Sequence, residues 1–287
     1  MDGEKKWDRS LFLILLPALV FIFLLFIYPF MHGLYLSFTD ADGVFTLKNY
    51  LLFFTDEWDF RTIGVTLGIA LPATLINVIL AVPFAYYMRH GIKGEKVITF
   101  FLIIPITLGT VLVSEGMLTF MGPNGWLNQL LIFLHIVKVP FRFTHNYLGV
   151  LLSLVIQGFP FAFLMLLGYI SGINPDLEKA AQMLGASKME TFLKVLFPLI
   201  APGIAIAFCL NFVMAFSVFP SAVLLGEPSG PTRVISLSAY QWAFEKFDFN
   251  MGSAVSMIMA GIELVVIMLV MFWRSRIYKG ASIVGKG

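Results

Sequence analysis

The chain has 287 residues, 59% of them hydrophobic and 13% charged, and its mean hydropathy is +0.89. Soluble domains carry about twice that charged fraction, so the composition predicts an integral membrane protein and excludes an ordinary soluble enzyme. The formal net charge of +2 comes without a basic tract, which argues against nucleic acid as a partner, and the single cysteine, Cys209, excludes an internal disulfide.

From the N-terminus, a charged decapeptide leads into an apolar run over residues 11–27. The run is long for a signal-peptide core and no A-x-A cleavage pattern follows, so it is expected to stay as the first membrane span. Hydropathy predicts six spans, at 11–36, 63–88, 97–120, 148–172, 198–223 and 252–273, each near the length of about 20 residues needed to cross a bilayer. Pro29, Pro72, Pro83, Pro105 and Pro160 fall within or near them. Kinks at membrane depth are tolerated where neighbouring helices satisfy the freed carbonyls, so a packed all-α bundle is expected. Placing both termini and the loops 89–96 and 173–197 on one side gives that side thirteen Lys and Arg against six on the other. The positive-inside rule makes that side the cytoplasm. With no long repeat and no linker, residues 1–287 read as a single transmembrane domain.

The loops expected outside differ in kind. Residues 37–62 carry Asp40, Asp42, Asp56, Glu57 and Asp59 without metal-site spacing. Residues 122–147 open on Gly122-Pro123-Asn124-Gly125 and continue from Trp126 into an apolar run too short to cross, which predicts an interfacial helix anchored by Trp126. Residues 224–251 begin turn-rich and end amphipathic. Such loops either receive a soluble partner or simply close the bundle.

The stretch from Asn174 to Gly203 has a different grammar. Asn174 suits an N-cap, Pro175 the first helical turn and Asp176 the positive end of a helix. Leu177, Ala180, Ala181 and Leu184 follow at helical spacing, and Gly185 can end the helix in the left-handed conformation. Ser187 and Glu190 have the spacing of a capping box, so a second helix is expected at once. Pro198 and Pro202 mark its passage into the next span. Two short helices joined by a tight turn at the membrane surface form a place for a partner to grip.

This stretch resembles the cytoplasmic EAA loop of permease subunits in binding-protein-dependent, type I ABC importers. Ala180, Ala181, Gly185, Ala186, Phe192 and Pro198 stand at the family's offsets, while Lys179 occupies the motif's glutamate position and Glu178 lies one residue earlier. The resemblance implies a six-span permease in a bacterial cytoplasmic (inner) membrane, with a coupling helix that engages a cytoplasmic ABC ATPase dimer. Asp176, Glu178, Lys179, Ala180, Ala181, Leu184, Gly185 and Ala186 would carry that coupling. It further implies an extracytoplasmic substrate-binding protein and a second, homologous permease subunit, a homodimer remaining open.

Enzyme signatures are missing. There is no G-x-x-x-x-G-K-[ST] phosphate loop, so ATP and Mg are expected on the ATPase and this chain is expected to bind no cofactor. The four scattered histidines suggest no metal site. Polar residues inside the spans are the remaining clue, because each must pair or face water. Glu115, Gln157, Asn211 and Glu263 are candidates for a translocation path, whereas Asn77 suits interhelical hydrogen bonding. At mid-span, Gln157-Gly158-Phe159-Pro160-Phe161 could unwind a helix to expose carbonyls or form a packing kink. The first span and the SFTDADG loop resemble sugar-type permeases. The segment from Thr232 to Arg276, with YQWAFEKFDFNMGSAVSM, resembles the polyamine and ferric-iron branches. Glu115 and Glu263 favour a polyamine-type organic cation, with sugar or oligosaccharide, iron and phosphonate-like solutes open. A different class, an ion-coupled secondary transporter using Glu115 or Glu263, would require an internal repeat that the sequence does not display.

Overall fold

The computed structural model describes residues 9–277, with side chains from 15 to 276. Lys5, Lys6, Lys279 and Lys286, which enter the orientation argument, lie outside the described residues, as does the start of the expected first span at side-chain level. Among the described residues six helical stretches are long and apolar enough to cross a membrane: Leu15–Ser37, Glu57–Met88, Glu95–Phe133, Tyr147–Ser171, Lys188–Phe216 and Phe249–Arg276. Each overlaps one of the spans predicted from hydropathy. Among the described residues the only strand-like feature is an isolated bridge between Thr39 and Phe45.

In chain order, α1 (Arg9–Ile22) passes through a π-helical turn (Phe23–Ile27) into α2 (Tyr28–Ser37). Short α3 (Lys48–Thr55) precedes the long α4 (Glu57–Met88); α5 (Glu95–Met121) precedes the eight-residue α6 (Trp126–Phe133). The fourth span is α7 (Tyr147–Ser171). Next come α8 (Asp176–Met183) and α9 (Lys188–Thr191), and a second π turn (Phe192–Leu196) joins α9 to α10 (Phe197–Phe216). Short α11 (Pro220–Leu225) and α12 (Ile235–Tyr240), a third π turn (Gln241–Glu245) and α13 (Phe249–Ile277) are the last elements of the described residues.

Three backbone features modify the expected spans. The fifth was predicted over 198–223, yet its helix starts at Lys188 and stops at Phe216. Pro198 does not begin it, because a π turn ends two residues earlier, as another does before Pro29. Such wide turns are where a helix ladder can absorb a missing N–H. At the other end, Pro220 opens a new helix after a non-helical Phe219, although hydropathy stays high throughout. The third span contains a break at Gly109 (φ 74°, ψ 162°), four residues after Pro105. By contrast α7 runs unbroken through Gly158 and Pro160, so this proline leaves the helix wound.

The chain divides into two compact units. The first takes the residues up to Phe60 together with Ser238–Ile258. Here Asn250 Nδ2 donates to the carbonyls of Leu36 (3.2 Å), Thr39 (2.8 Å) and Asp40 (3.2 Å), closing the end of α2. Asp59, from the acidic loop, is buried and accepts from Ser238 Oγ (2.6 Å) and Trp242 Nε1 (2.8 Å). At least one of those acids therefore serves structure. The span Leu15–Ser37 has none of its apolar window buried, leaving its surface for lipid or another chain.

The second unit takes Arg61–Leu237 and the residues from Met259 on. Its core lies where α4, α7 and α10 meet, through Ala81, Ala85, Phe163, Leu166, Ile200 and Ala207. Alanines on facing helices let backbones approach closely, which is how helices associate where lipid is as apolar as leucine. A second cluster, Val113, Met117, Met121 and Leu225, joins α5 to α11. Within the same unit α6 is tied down by buried Asn128, whose Nδ2 donates to the carbonyls of Gly122 (2.9 Å) and Phe141 (3.0 Å). Trp126, the expected anchor of that helix, is 80% exposed.

Candidate functional site

The segment 174–197 is built as its sequence chemistry dictates. Asn174 Oδ1 accepts from the Asp176 N–H (2.9 Å), which starts α8. At the other end Gly185 takes φ 89°, the Gly185 N–H bonds to the Gln182 carbonyl (2.9 Å) and the Ala186 N–H to the Ala181 carbonyl (3.1 Å). This is the double bond pattern of a Schellman motif. Ser187 and Glu190 complete the capping box in both directions, and Lys194 Nζ sits 2.9 Å from Glu190 Oε1. Local bonds thus specify the eight helical residues, the turn and the start of the second helix.

The tertiary structure decides which side chains face out. Leu177 and Ala180 are exposed, and Met183 and Leu184 are 87% and 90% exposed at the tip, Leu184 lying just past the end of the helix. Lys179 is exposed and pairs with Asp176 at 2.9 Å. Glu178 is the one buried residue of α8. Its Oε1 lies 2.9 Å from Arg89 Nη1, with the two side chains only 8% and 3% exposed. The N–H is not aligned on that oxygen, so the contact is an ion pair more than a hydrogen bond. Glu178 Oε2 accepts from the Tyr86 hydroxyl (3.0 Å), with His90 Nε2 at 3.7 Å. Arg89 Nη2 also donates to the Ile173 carbonyl (3.0 Å). Breaking such a buried pair by removing one partner costs about 3–5 kcal/mol. Sequence reasoning missed Arg89 and Tyr86, since nothing in their spacing from Glu178 announces a contact across roughly ninety residues. Arg89 entered it only as a loop cation.

A second polar group lies within the spans. Asn77 on α4 donates from Nδ2 to Asn211 Oδ1 (2.9 Å) and to the Leu154 carbonyl (3.2 Å), and Asn211 on α10 donates to the Gly158 carbonyl (2.8 Å) on α7. The three helices are pinned together as expected for Asn77. Gln157 Nε2 donates to Ser153 Oγ (2.6 Å) and Ser221 Oγ (3.1 Å), and Ser114 joins Ser221 at 2.9 Å. Thr110, Gln157, Asn211, Ser217 and Ser221 line a cavity of about 120 Å³. Ser217 Oγ donates outward to Glu263 Oε1 (2.8 Å). Of the four candidate path residues, the fold therefore brings Gln157 and Asn211 to one cavity and links Glu263 to its wall. Glu115 is exposed, next to the buried Ser114. Phe159 packs on Phe84 and Phe163 (ring centroids 5.8 and 6.1 Å), so it serves packing.

Among the described residues six candidate membrane spans carry a doubly capped helix–turn–helix between the fourth and the fifth. Residues 73–279 match the family described as binding-protein-dependent transport system inner membrane component. The chain belongs to this family, and is a multi-pass permease subunit of an ABC importer. It is 30% identical over 234 residues to the spermidine/putrescine permease PotB of Escherichia coli K12, covering 81% of this chain and 83% of PotB. It is 28% identical over 274 residues to the trehalose permease SugA of Mycobacterium tuberculosis H37Rv, covering 92% and 88% of the two chains. In fold it is similar to a chain of a bacterial alginate ABC transporter, solved with a periplasmic protein carrying an alginate pentasaccharide. That likeness has a TM-score of 0.79 at 24% identity and covers 97% of this chain and all of that one.

Proposed function

We propose that this subunit sits in a bacterial inner membrane with both termini and segment 174–197 in the cytoplasm. There α8 docks on a cytoplasmic ABC ATPase that holds ATP and Mg. A second, homologous permease completes the path, and an extracytoplasmic binding protein delivers the solute. One observation carries the docking reading: Met183 and Leu184 stand almost fully exposed on a helix end that the Gly185 turn and the capping box hold rigid. Adjoining large exposed apolar side chains at the tip of a short helix that also exposes Leu177 are what a partner's groove would cover. Asp176, Lys179 and Ala180 share the exposed surface, while Gly185 and Ala186 set its shape.

The solute we propose is a polyamine-type organic cation. Its support is the PotB similarity and Glu263, a carboxylate joined through Ser217 to the cavity that Gln157 and Asn211 line. A sugar is the second reading, favoured by the longer alignment with SugA.

Purification of the tagged subunit from detergent-solubilised membranes, with every accompanying chain identified, tests the docking. The wild-type protein should bring an ATPase with a phosphate-binding loop and a second permease. The double variant Met183→Asp/Leu184→Asp should insert normally and lose the ATPase. Retention of the ATPase by that variant would remove α8 from the docking surface.

A further inference from the structure

We infer that Arg89 and Glu178 form a latch that passes the motion of α8 into the membrane spans. Both are positioning residues that act through each other and touch neither ATP nor solute. The inference rests on the docking reading above and adds the route by which docking is felt.

Three observations converge on it. Glu178 is the buried residue of α8, and both members of its ion pair are screened from any docked partner, at 8% and 3% exposure. They therefore cannot belong to the docking surface itself. Arg89 stands one residue beyond α4 and grips two other elements at once: Glu178 through Nη1, and the Ile173 carbonyl after the end of α7 through Nη2. Tyr86, in the last turn of α4, donates to the other Glu178 oxygen, and its ring packs on Phe192 at 5.1 Å, in the π turn that leads into α10. One carboxylate on a short surface helix is thus joined to the ends of α4, α7 and α10.

Those are also the three spans that the Asn77–Asn211–Gly158 contacts pin together within their helical length. The rest of α8 is exposed apart from the partly buried Ala181. A force on Met183 and Leu184 reaches the spans through the flanking chain, through packing of α8 on the π turn Phe192–Leu196, and through the Glu178 carboxylate, the one charged and buried link among them. A close, buried charge pair between α8 and the end of α4 resists displacement in a way that a solvated turn does not. It is the kind of contiguous physical link that rigid-body switching requires.

The test compares solute moved per ATP hydrolysed in proteoliposomes containing the assembled transporter. The variants are Glu178→Gln, Arg89→Met and the exchange Arg89→Glu/Glu178→Arg; Arg89→Lys serves as the conservative control. Glu178→Gln is nearly isosteric and keeps an acceptor for Tyr86, so it guards against simple misfolding. Transport per ATP is expected to fall about tenfold in Glu178→Gln and Arg89→Met. The ATPase should still co-purify and hydrolyse ATP, Arg89→Lys should retain most of the ratio, and the exchange should recover part of it. A wild-type ratio in both single variants would overturn the latch. So would loss of the ATPase from well-inserted single variants, since the pair would then be shaping the docking surface. Absence of an ATPase from the wild-type purification is a separate result: it would remove the docking reading itself.

Discussion

Gly158 meets two asparagines at once. A Cβ at this position would lie 2.2 Å from Asn77 Nδ2 and 3.0 Å from both polar atoms of the Asn211 side chain. The absent side chain is what lets α4 and α10 deliver amides to the α7 backbone just before Pro160. Overpacking of this kind costs about 1–3 kcal/mol. Gly158→Ala should therefore lower the melting temperature of the detergent-solubilised protein by several degrees. Because the clash is with a particular side chain, combining Gly158→Ala with Asn77→Ala should destabilise less than the two single effects added. Simple additivity would mean that Gly158 matters for some reason other than Asn77. From sequence, Asn77 and Asn211 were visible as polar groups needing partners, and Gly158 as a possible break. That the three are one device was hidden, because the contacts join residues 77, 158 and 211.

For the segment 174–197 the reverse holds. Nearly all of its backbone was legible, since caps, left-handed glycine and capping box are bonds within six residues of one another. Gly185, at φ 89°, is where a β-branched residue is strained, at about 1–3 kcal/mol for a left-handed non-glycine position. Gly185→Val should loosen the α8–α9 turn, read as faster amide exchange over residues 176–190 in membranes. Gly185→Asn should be milder, because asparagine tolerates that conformation. Equal protection in Gly185→Val and wild type would show that tertiary contacts, and not the turn, hold this segment. The burial pattern was less legible than the backbone. Helical spacing grouped Leu177, Ala180, Ala181 and Leu184 as one stripe without showing that most of it faces outward, or that Glu178 is the residue turned inward. The fifth span shows the same division. Its apolar length predicted a crossing, while the π turn before Pro198 and the break before Pro220 were set by backbone geometry that hydropathy does not register.

At the scale of the whole molecule the question is the solute. PotB and SugA, both permeases, differ in the charge of the solute their names carry, so a charge-neutralising change separates the two readings. With the assembled transporter and its binding protein in proteoliposomes, labelled spermidine should accumulate, and Glu263→Gln should reduce its uptake several-fold. Trehalose uptake by the wild-type protein, undiminished in Glu263→Gln, would establish the sugar reading instead. Glu115→Gln provides a comparison: Glu115 is exposed and has no place in the proposed path past Ser217 and Glu263, so it should have the smaller effect.

The sequence by itself determined the class of environment, the number of spans and the local form of the 174–197 segment. These follow from hydropathy summed over about 20 residues and from hydrogen bonds between near neighbours. Tertiary structure alone decided that Glu178 is buried against Arg89, that Asn77 and Asn211 close on Gly158, and that Glu263 is joined to the cavity through Ser217. Each of these is a contact between residues at least 46 apart in the chain. A contact of that range is set by how whole helices pack, and packing in a membrane turns on which small residues let two backbones approach, which no local pattern encodes.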